Sequence, residues 1–168
     1  VDAEGNESYA SADGSSGTVN ADGSSTHTDA DGNSHSVDAE GNESYTGADG
    51  SSGTMNADGS STHTDADGNS HSMDAEGNES YASADGSSGT MNADGSSTHT
   101  DADGNSYSQD AEGNQSWEGA DGSTATMNAD GSGTYTGADG TTASMDSEGN
   151  GSYEGADGSS GTWDADGG

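Results

Sequence analysis

The chain has 168 residues, of which 33 are Asp or Glu and none is Lys or Arg, so its formal net charge is −33. Such a charge repels nucleic-acid phosphates, which proteins bind through Lys and Arg, and it excludes DNA and RNA as partners. No apolar run approaches the ~20 residues that span a bilayer, and no basic-then-apolar leader opens the chain, so no membrane insertion is expected.

Large apolar residues are too few for an ordinary hydrophobic core. Leu, Ile, Phe, Cys and Pro are absent, and valine occurs only as Val1, Val19 and Val37. Composition alone therefore favours a disordered, hydrated acidic tail. The lack of cysteine also excludes a disulfide framework and Cys-based metal sites. A strict internal repeat argues against disorder.

A period of nine residues runs unbroken from Val1 to the end of the chain. Numbered from Val1, each unit reads x-x-Ala-(Asp/Glu)-Gly-(Asn/Ser/Thr)-x-x-x, with Ser147 as the exception at the third position and Gly at the fifth position from Gly5 to Gly167. A longer period of 36 residues overlies it, in blocks 1–36, 37–72, 73–108, 109–144 and a partial block 145–168. We therefore expect one continuous repeat domain over 1–168.

The first half of each unit predicts a turn and the second half a strand. Gly recurs with Asp, Asn, Ser and Thr, which compete for the backbone and disfavour a long helix. In the segment Ala-Asp-Gly-Asn/Ser, the Gly can take a positive φ, whereas runs such as 17–21 and 44–48 are extended. Turn plus strand without long connections predicts an all-β fold, a repeat β-solenoid with two units per 18-residue coil, shaped as a rod or filament.

The coil also predicts which side chains point inward. Positions eight, one and three share a side of the strand, as in Thr26, Thr28 and Ala30, and they are mostly small or apolar, so they are assigned to the interior. The rings of His35, His71 and Tyr107 at position eight do not fit that interior.

The units resemble the glycine-rich nonapeptide repeats of RTX-type secreted proteins, which form a calcium-bound parallel β-roll with two units per coil. That family's pattern is Gly-Gly-x-Gly-x-Asp-x-apolar-x, whereas a unit such as 56–60 has one Gly and places its acid before it. The family's calcium ligands therefore cannot be carried over one by one. The resemblance implies the size of the coil and a secreted setting, extracellular or at the cell surface.

The recurring acids predict a calcium-binding surface. Stacked coils would bring fourth-position carboxylates to within ~4.8 Å of each other, with no Lys or Arg to relieve their repulsion, and Ca2+ accepts carboxylate, carbonyl and amide oxygens. The alternative is that these acids cap their turns through backbone amides and stay solvated. The predicted calcium ligands are Asp13, Asp22, Asp29, Asp31, Asp49, Asp58, Asp65, Asp67, Asp85, Asp94, Asp101, Asp103, Asp121, Asp130, Asp139 and Asp157.

Ring side chains recur at the ninth position of the odd-numbered units. They predict an aromatic ladder along the coils, with a structural role favoured over a contact or sugar-stacking surface. Its members are Tyr9, His27, Tyr45, His63, Tyr81, His99, Trp117, Tyr135 and Tyr153.

Five Asn-x-Ser sequons recur every 36 residues. They are candidates for N-glycosylation, although Asn-x-Ser arises easily in such a composition. The candidate residues are Asn6, Asn42, Asn78, Asn114 and Asn150.

These observations predict a structural protein and not an enzyme, because each His is a repeat copy without an oxyanion-binding group or a third orienting residue. The expected function is a component of an extracellular filament, adhesin stalk or matrix fibre, stiffened by Ca2+ and self-associating into filaments. The five sequons add the prediction that it is a glycoprotein. The alternatives are an ice- or mineral-binding solenoid and a disordered acidic tail.

Overall fold

The computed structural model describes residues 1–166 and contains only strands and turns in that range, so the expected all-β class is confirmed. The chain divides into two compact units, Val1–Ala84 and Asp85–Gly168. The fifth-position glycine of the last repeat, Gly167, lies outside the described residues. No helix long and apolar enough to cross a membrane occurs in the described part of the chain.

Every strand has four residues and occupies positions seven, eight and nine of one repeat and position one of the next. The strands of unit 1 are β1 (Glu7–Ala10), β2 (Ser16–Val19), β3 (Ser25–Thr28), β4 (Ser34–Val37), β5 (Glu43–Thr46), β6 (Ser52–Met55), β7 (Ser61–Thr64), β8 (Ser70–Met73) and β9 (Glu79–Ala82). Those of unit 2 are β10 (Ser88–Met91), β11 (Ser97–Thr100), β12 (Ser106–Gln109), β13 (Gln115–Glu118), β14 (Thr124–Met127), β15 (Gly133–Thr136), β16 (Thr142–Met145), β17 (Gly151–Glu154) and β18 (Ser160–Trp163).

Successive strands within each unit pair antiparallel, so each unit is a meander of hairpins. The register is constant: in β3 and β4, for example, Ser25 pairs with Val37 and His27 with His35. A β-solenoid would instead pair parallel strands 18 residues apart. The predicted solenoid and its 18-residue coil are therefore wrong, because each turn reverses the chain.

The turn explains this reversal. In the turn between β7 and β8, the amide of Gly68 donates to the carbonyl of Asp65 (3.1 Å), and the amide of Asp65 donates to the carbonyl of Asn69 (2.9 Å). Gly68 has a φ of +91°, which a residue with a Cβ rarely adopts. A β-turn followed by a left-handed glycine is the three-residue hairpin loop with a bulge, and its twist suits two antiparallel strands.

Neither unit encloses a hydrophobic core. No hydrophobic side chain among the described residues is buried, and the one buried polar residue is Ser123. Each unit is a single layer with two exposed faces, held by backbone hydrogen bonds, turns and cross-strand pairs. The predicted interior is therefore wrong. Positions eight and one do share a face within a strand, but that face alternates from one strand to the next.

Candidate functional site

The antiparallel register sorts the strand residues of unit 1 into two chemically different faces. Paired residues lie on the same face, and neighbours along a strand lie on opposite faces. One face, here named the hydroxyl face, carries only Ser, Thr and Ala: residues 8, 10, 16, 18, 26, 28, 34, 36, 44, 46, 52, 54, 62, 64, 70, 72, 80 and 82.

Hydroxyl groups on that face bond to each other across the strands. The Oγ1 atoms of Thr18 and Thr26 lie 2.8 Å apart, and the Oγ atoms of Ser36 and Ser44 lie 2.7 Å apart. These pairs use part of the hydrogen-bonding capacity of the face and fasten strands that have no core beneath them.

The opposite face of unit 1, here named the ring face, carries the rings and the larger apolar side chains. Its central row, here named the ring column, crosses all nine strands as Tyr9, Gly17, His27, His35, Tyr45, Gly53, His63, His71 and Tyr81. The flanking row contains Glu7, Val19, Ser25, Val37, Glu43, Met55, Ser61, Met73 and Glu79.

The ring column contains the predicted ladder positions of unit 1 on alternate strands, and it adds two rings that sequence reasoning excluded. His35 and His71 belong to it because position eight of an even-numbered strand pairs with position nine of its odd-numbered neighbours. The sequence contained evidence for this pairing. Antiparallel strands place His35 and His71 on the same face as the other rings, whereas a parallel coil places them in its interior.

Tyr–His pairs are the ordered elements of the ring column. Tyr9 stacks on His27 with ring centroids 6.1 Å apart, and Tyr45 stacks on His63 at 5.9 Å, both at an angle of 26°. In each pair the tyrosine hydroxyl is hydrogen-bonded to the histidine Nδ1. The partners lie two strands apart, so each tyrosine must lean across the strand between them.

Glycine on the intervening strand makes this reach possible. A Cβ at Gly17 would lie 2.6 Å from the Tyr9 ring, and one at Gly53 would lie 2.4 Å from the Tyr45 ring. Both distances are shorter than any ordinary contact. The tyrosine ring therefore lies over the glycine. It also shields the glycine backbone from solvent, which no side chain of the glycine itself could do.

The other histidines of the ring column face carboxylates. The Nε2 atom of His35 lies 3.4 Å from Oε2 of Glu43, and His71 and Glu79 repeat this distance. About half of each side chain is exposed (48% for His35 and 53% for Glu43), so solvent screens the pair. A groove of about 270 Å³ runs over this part of the ring face, lined by residues that include His35, Tyr45, Met55 and His63.

Unit 2 has faces of the same two kinds. Its hydroxyl face differs by carrying Glu118 and Glu154. Its ring face holds the remaining predicted ladder residues, His99, Trp117, Tyr135 and Tyr153, together with Tyr107, Met91, Met127, Met145 and Trp163. In both units most of the large apolar side chains of the strands are exposed on the ring face, with Tyr45 39% and Met55 61% accessible.

One aspartate in each described turn is engaged by that turn's own groups. In turns with Asn at position six, the acid at position two is used: Asp29 Oδ1 accepts from the amide of Asn33 (2.9 Å), and Asp29 Oδ2 accepts from Asn33 Nδ2 (2.8 Å). In turns with Ser, the acid at position four is used, as Asp22 accepts from the hydroxyl (2.7 Å) and amide (2.9 Å) of Ser24. These hydrogen bonds hold the pKa of both aspartates below the ordinary carboxyl value. The largest contribution comes from the Asn33 side chain for Asp29 and from the Ser24 hydroxyl for Asp22.

Most of the predicted calcium ligands are turn acids of this kind. Asp31, Asp67 and Asp103 are different, because they occupy position four of Asn turns, where the engaged acid is the aspartate two residues earlier. Neighbouring turns on one edge of the sheet are two strands apart, so their acids are about twice as far apart as the ~4.8 Å expected for a coil. The Coulomb repulsion between them, which was the reason for predicting a bound ion, is therefore about half as large. Within residues 1–166, no group of three or more His, Cys, Asp or Glu could hold a metal ion. Calcium binding stays a prediction.

The sequon asparagines have a structural role in their turns. Asn42 Nδ2 donates to Asp38 Oδ2 (2.7 Å), and Asn42 Oδ1 accepts from the amide of Ala57 (2.9 Å), in the next turn on the same edge. Asn33, which is not in a sequon, makes the same two contacts with Asp29 and Ala48. Turn geometry thus accounts for these asparagines without a glycan, and glycosylation stays a prediction.

Comparison with known proteins gives a fold but no family. No protein-family profile matches the chain, and no curated protein matches it. Among solved structures, the TCP10 domain of Danio rerio CPAP in complex with a STIL peptide is 18% identical, with a TM-score of 0.55 over 98% of this chain and 97% of that one. The TCP domain of Drosophila melanogaster SAS-4 in complex with a proline-rich motif of Ana2 is 20% identical, with a TM-score of 0.53 over 74% and 84%. A CPAP G-box domain, described with a role in centriole elongation, is 17% identical, with a TM-score of 0.51 over 84% and 99%.

These similarities correct the functional expectations. The resemblance to RTX repeats is wrong, because the three solved structures named above are TCP and G-box domains and the strands are antiparallel rather than coiled in parallel. The expected extracellular filament, adhesin stalk or matrix fibre is also wrong, since the domains of similar fold belong to CPAP and SAS-4, and the structure of one of them is described as suggesting a role in centriole elongation. Two of these three domains are bound to peptides, and none of the three is described as an enzyme.

Proposed function

We propose that this chain is a non-enzymatic binding module whose ring face takes up an extended, basic, proline-containing peptide. The observation that carries the proposal is the uncovered apolar face of a single-layer sheet. Every large apolar strand side chain of unit 1 lies on that face, and none is buried among the described residues. Exposed apolar patches of this kind mark interaction sites in soluble proteins.

The partner's chemistry follows from charge and from the rings. The chain has a net charge of −33 and no Lys or Arg, so a basic segment is the complementary partner. Tyrosine and histidine rings in a shallow groove suit proline, because aromatic grooves bind the preformed polyproline II helix at little entropic cost. The SAS-4 domain of similar fold is bound to a proline-rich motif, which supports this choice.

Titration of a labelled proline- and arginine-rich peptide, followed by fluorescence anisotropy, tests the proposal. The double variant Tyr9→Ser/Tyr45→Ser, which removes the tyrosine of both Tyr–His pairs, should weaken binding at least fivefold. Thr46→Ser is the matched control on the strand of Tyr45, and it changes the hydroxyl face only. An arginine-rich peptide without proline reports purely electrostatic association. Equal binding of that peptide, or no difference between the two variants, would overturn the proposal.

Self-association of the chain was also expected from the sequence, and it stays a prediction. Sedimentation velocity on the free protein at the titration concentrations measures it directly. A concentration-dependent rise in sedimentation coefficient supports self-association, whereas a constant value contradicts it.

A further inference from the structure

We infer that unit 1 presents two equivalent subsites and that its ligand repeats every six residues in polyproline II conformation. This inference rests on the proposed function and specifies the ligand of the same face. The first subsite is built on the Tyr9–His27 pair and the second on the Tyr45–His63 pair.

The two subsites are copies of each other. Residues 1–36 and 37–72 differ at three positions only, where Ala10, Ser11 and Val19 correspond to Thr46, Gly47 and Met55. Only the last of these lies on the ring face. The ring contacts agree closely, with centroid separations of 6.1 and 5.9 Å at the same angle of 26°. A ligand segment that fits one pair therefore fits the other.

The distance between the subsites matches a regular ligand. Equivalent residues lie four strands apart, which is about 19 Å at the usual strand spacing. Six residues of polyproline II span about 18.6 Å and make two full turns, so residues six apart point to the same side of that helix. A polyproline II segment crossing the strands along the ring column can therefore place equivalent prolines on both Tyr–His pairs.

The carboxylates of the flanking row repeat with the same spacing. Glu43 lies on β5 beside Tyr45, and Glu79 occupies the equivalent place on β9. Each lies 3.4 Å from the histidine of the preceding strand. A basic side chain of the ligand that meets Glu43 would find Glu79 about six residues further along. The ligand is thus a tandem repeat in which proline and a basic residue recur with a period of six.

Four labelled peptides of one length test the inference by anisotropy: one with a single proline–arginine motif, and three with two motifs spaced six, seven or nine residues apart. The nine-residue spacing keeps both motifs on one side of the helix but is about 9 Å too long. The six-residue spacing should bind at least tenfold more tightly than the single motif, because the second contact becomes intramolecular.

The variant Tyr9→Ser should lower the affinity for the six-spaced peptide to that for the single-motif peptide. The single-motif peptide should still bind this variant, at Tyr45. If the single motif binds but all three two-motif peptides bind alike, the six-residue period is wrong and the proposed function stands. If the single motif does not bind at all, the proposed function itself fails.

Discussion

Gly53→Ala tests whether the Tyr–His pairs depend on glycine. Gly53 is buried in β6 and its φ is not positive, so a penalty for adding a Cβ comes from contacts rather than from backbone strain. The new Cβ would lie 2.4 Å from the Tyr45 ring and 2.7 Å from the carbonyl oxygen of Thr62. Ordinary contact needs ~3.5 Å, so the ring must move by about 1 Å or more, and β6 must shift away from β7.

The expected cost follows from what the displaced ring loses. Stacking on His63 contributes about 0.5–1.5 kcal/mol, and the hydrogen bond to Nδ1 contributes about as much again. Alanine recovers about 0.4–1 kcal/mol by restricting the unfolded chain. We therefore expect Gly53→Ala to lower the free energy of unfolding by about 1–2 kcal/mol.

Urea unfolding followed by far-ultraviolet circular dichroism measures that cost, and a double-mutant cycle assigns it. Combined with Tyr45→Ser, the glycine substitution should cost clearly less than it does alone, because no ring remains to be displaced. Ser52→Ala, on the same strand but on the hydroxyl face, is the control and should leave the Tyr45–His63 contact intact in NMR spectra. A coupling energy near zero between Gly53 and Tyr45 would refute this explanation of the glycine.

Three further predictions concern the turns. In about 0.5 M NaCl, which screens the net charge, the thermal midpoint should fall as the pH is lowered below about 4. The reason is that the pKa of the turn aspartates in the folded state lies below the ordinary value of 3.8. Their contribution to stability is therefore complete above pH 3.8 and is lost as the pH falls through the folded-state pKa. A midpoint that rises on acidification would contradict this prediction. Gly59→Ala should lower the free energy of unfolding by about 1–2 kcal/mol through backbone strain alone, since φ is +90° and no atom lies within 4 Å of the new Cβ. Gly59→Asn should lower it less, because asparagine tolerates a positive φ better. Equal urea midpoints for the two variants would show that backbone strain is not the cause. If calcium binds, CaCl2 should raise the thermal midpoint above that in NaCl of equal ionic strength, and equal midpoints with and without chelator would exclude it.

The sequence predicts the local structure well because each repeat carries its own turn chemistry. The Gly at position five, the acid before it and the Asn or Ser after it locate the turn, and Gly68 has the positive φ that this requires. The remaining four residues locate the strand, as in Ser70–Met73. These features depend on residues within one repeat, so no knowledge of the partner strands is needed.

The pairing of strands could not be derived from the same signals. A five-residue turn between four-residue strands fits both a corner of a parallel coil and a reversing hairpin, and the Asp-Gly step is only a hint of the latter. The discriminating clue was the misfit of His35 and His71. Under antiparallel pairing they join Tyr45 and His63 on one face, whereas in a parallel coil they pointed into an interior that could not hold them.

The three sequence periods of unit 1 each have a geometric cause. Nine residues make one strand and one turn. Eighteen residues return the chain to the same edge and face of the sheet, which is why rings and small residues alternate with that period. Thirty-six residues are needed because Asn turns and Ser turns alternate along each edge, and the side chain of Asn33 or Asn42 binds the amide of the neighbouring Ser turn.

This last contact links the stability of the edge to the composition of the ring face. The Tyr–His pairs recur with the same 36-residue period as the bridging asparagines. Inserting nine residues would move every later ring to the hydroxyl face, and inserting 18 would keep the face but place Asn turns where Ser turns are needed. Only a block of 36 preserves both the turn bridges and the ring pairs. The near-identity of residues 1–36 and 37–72 therefore indicates growth by duplication of the smallest block that keeps the sheet edges and the proposed binding face in register.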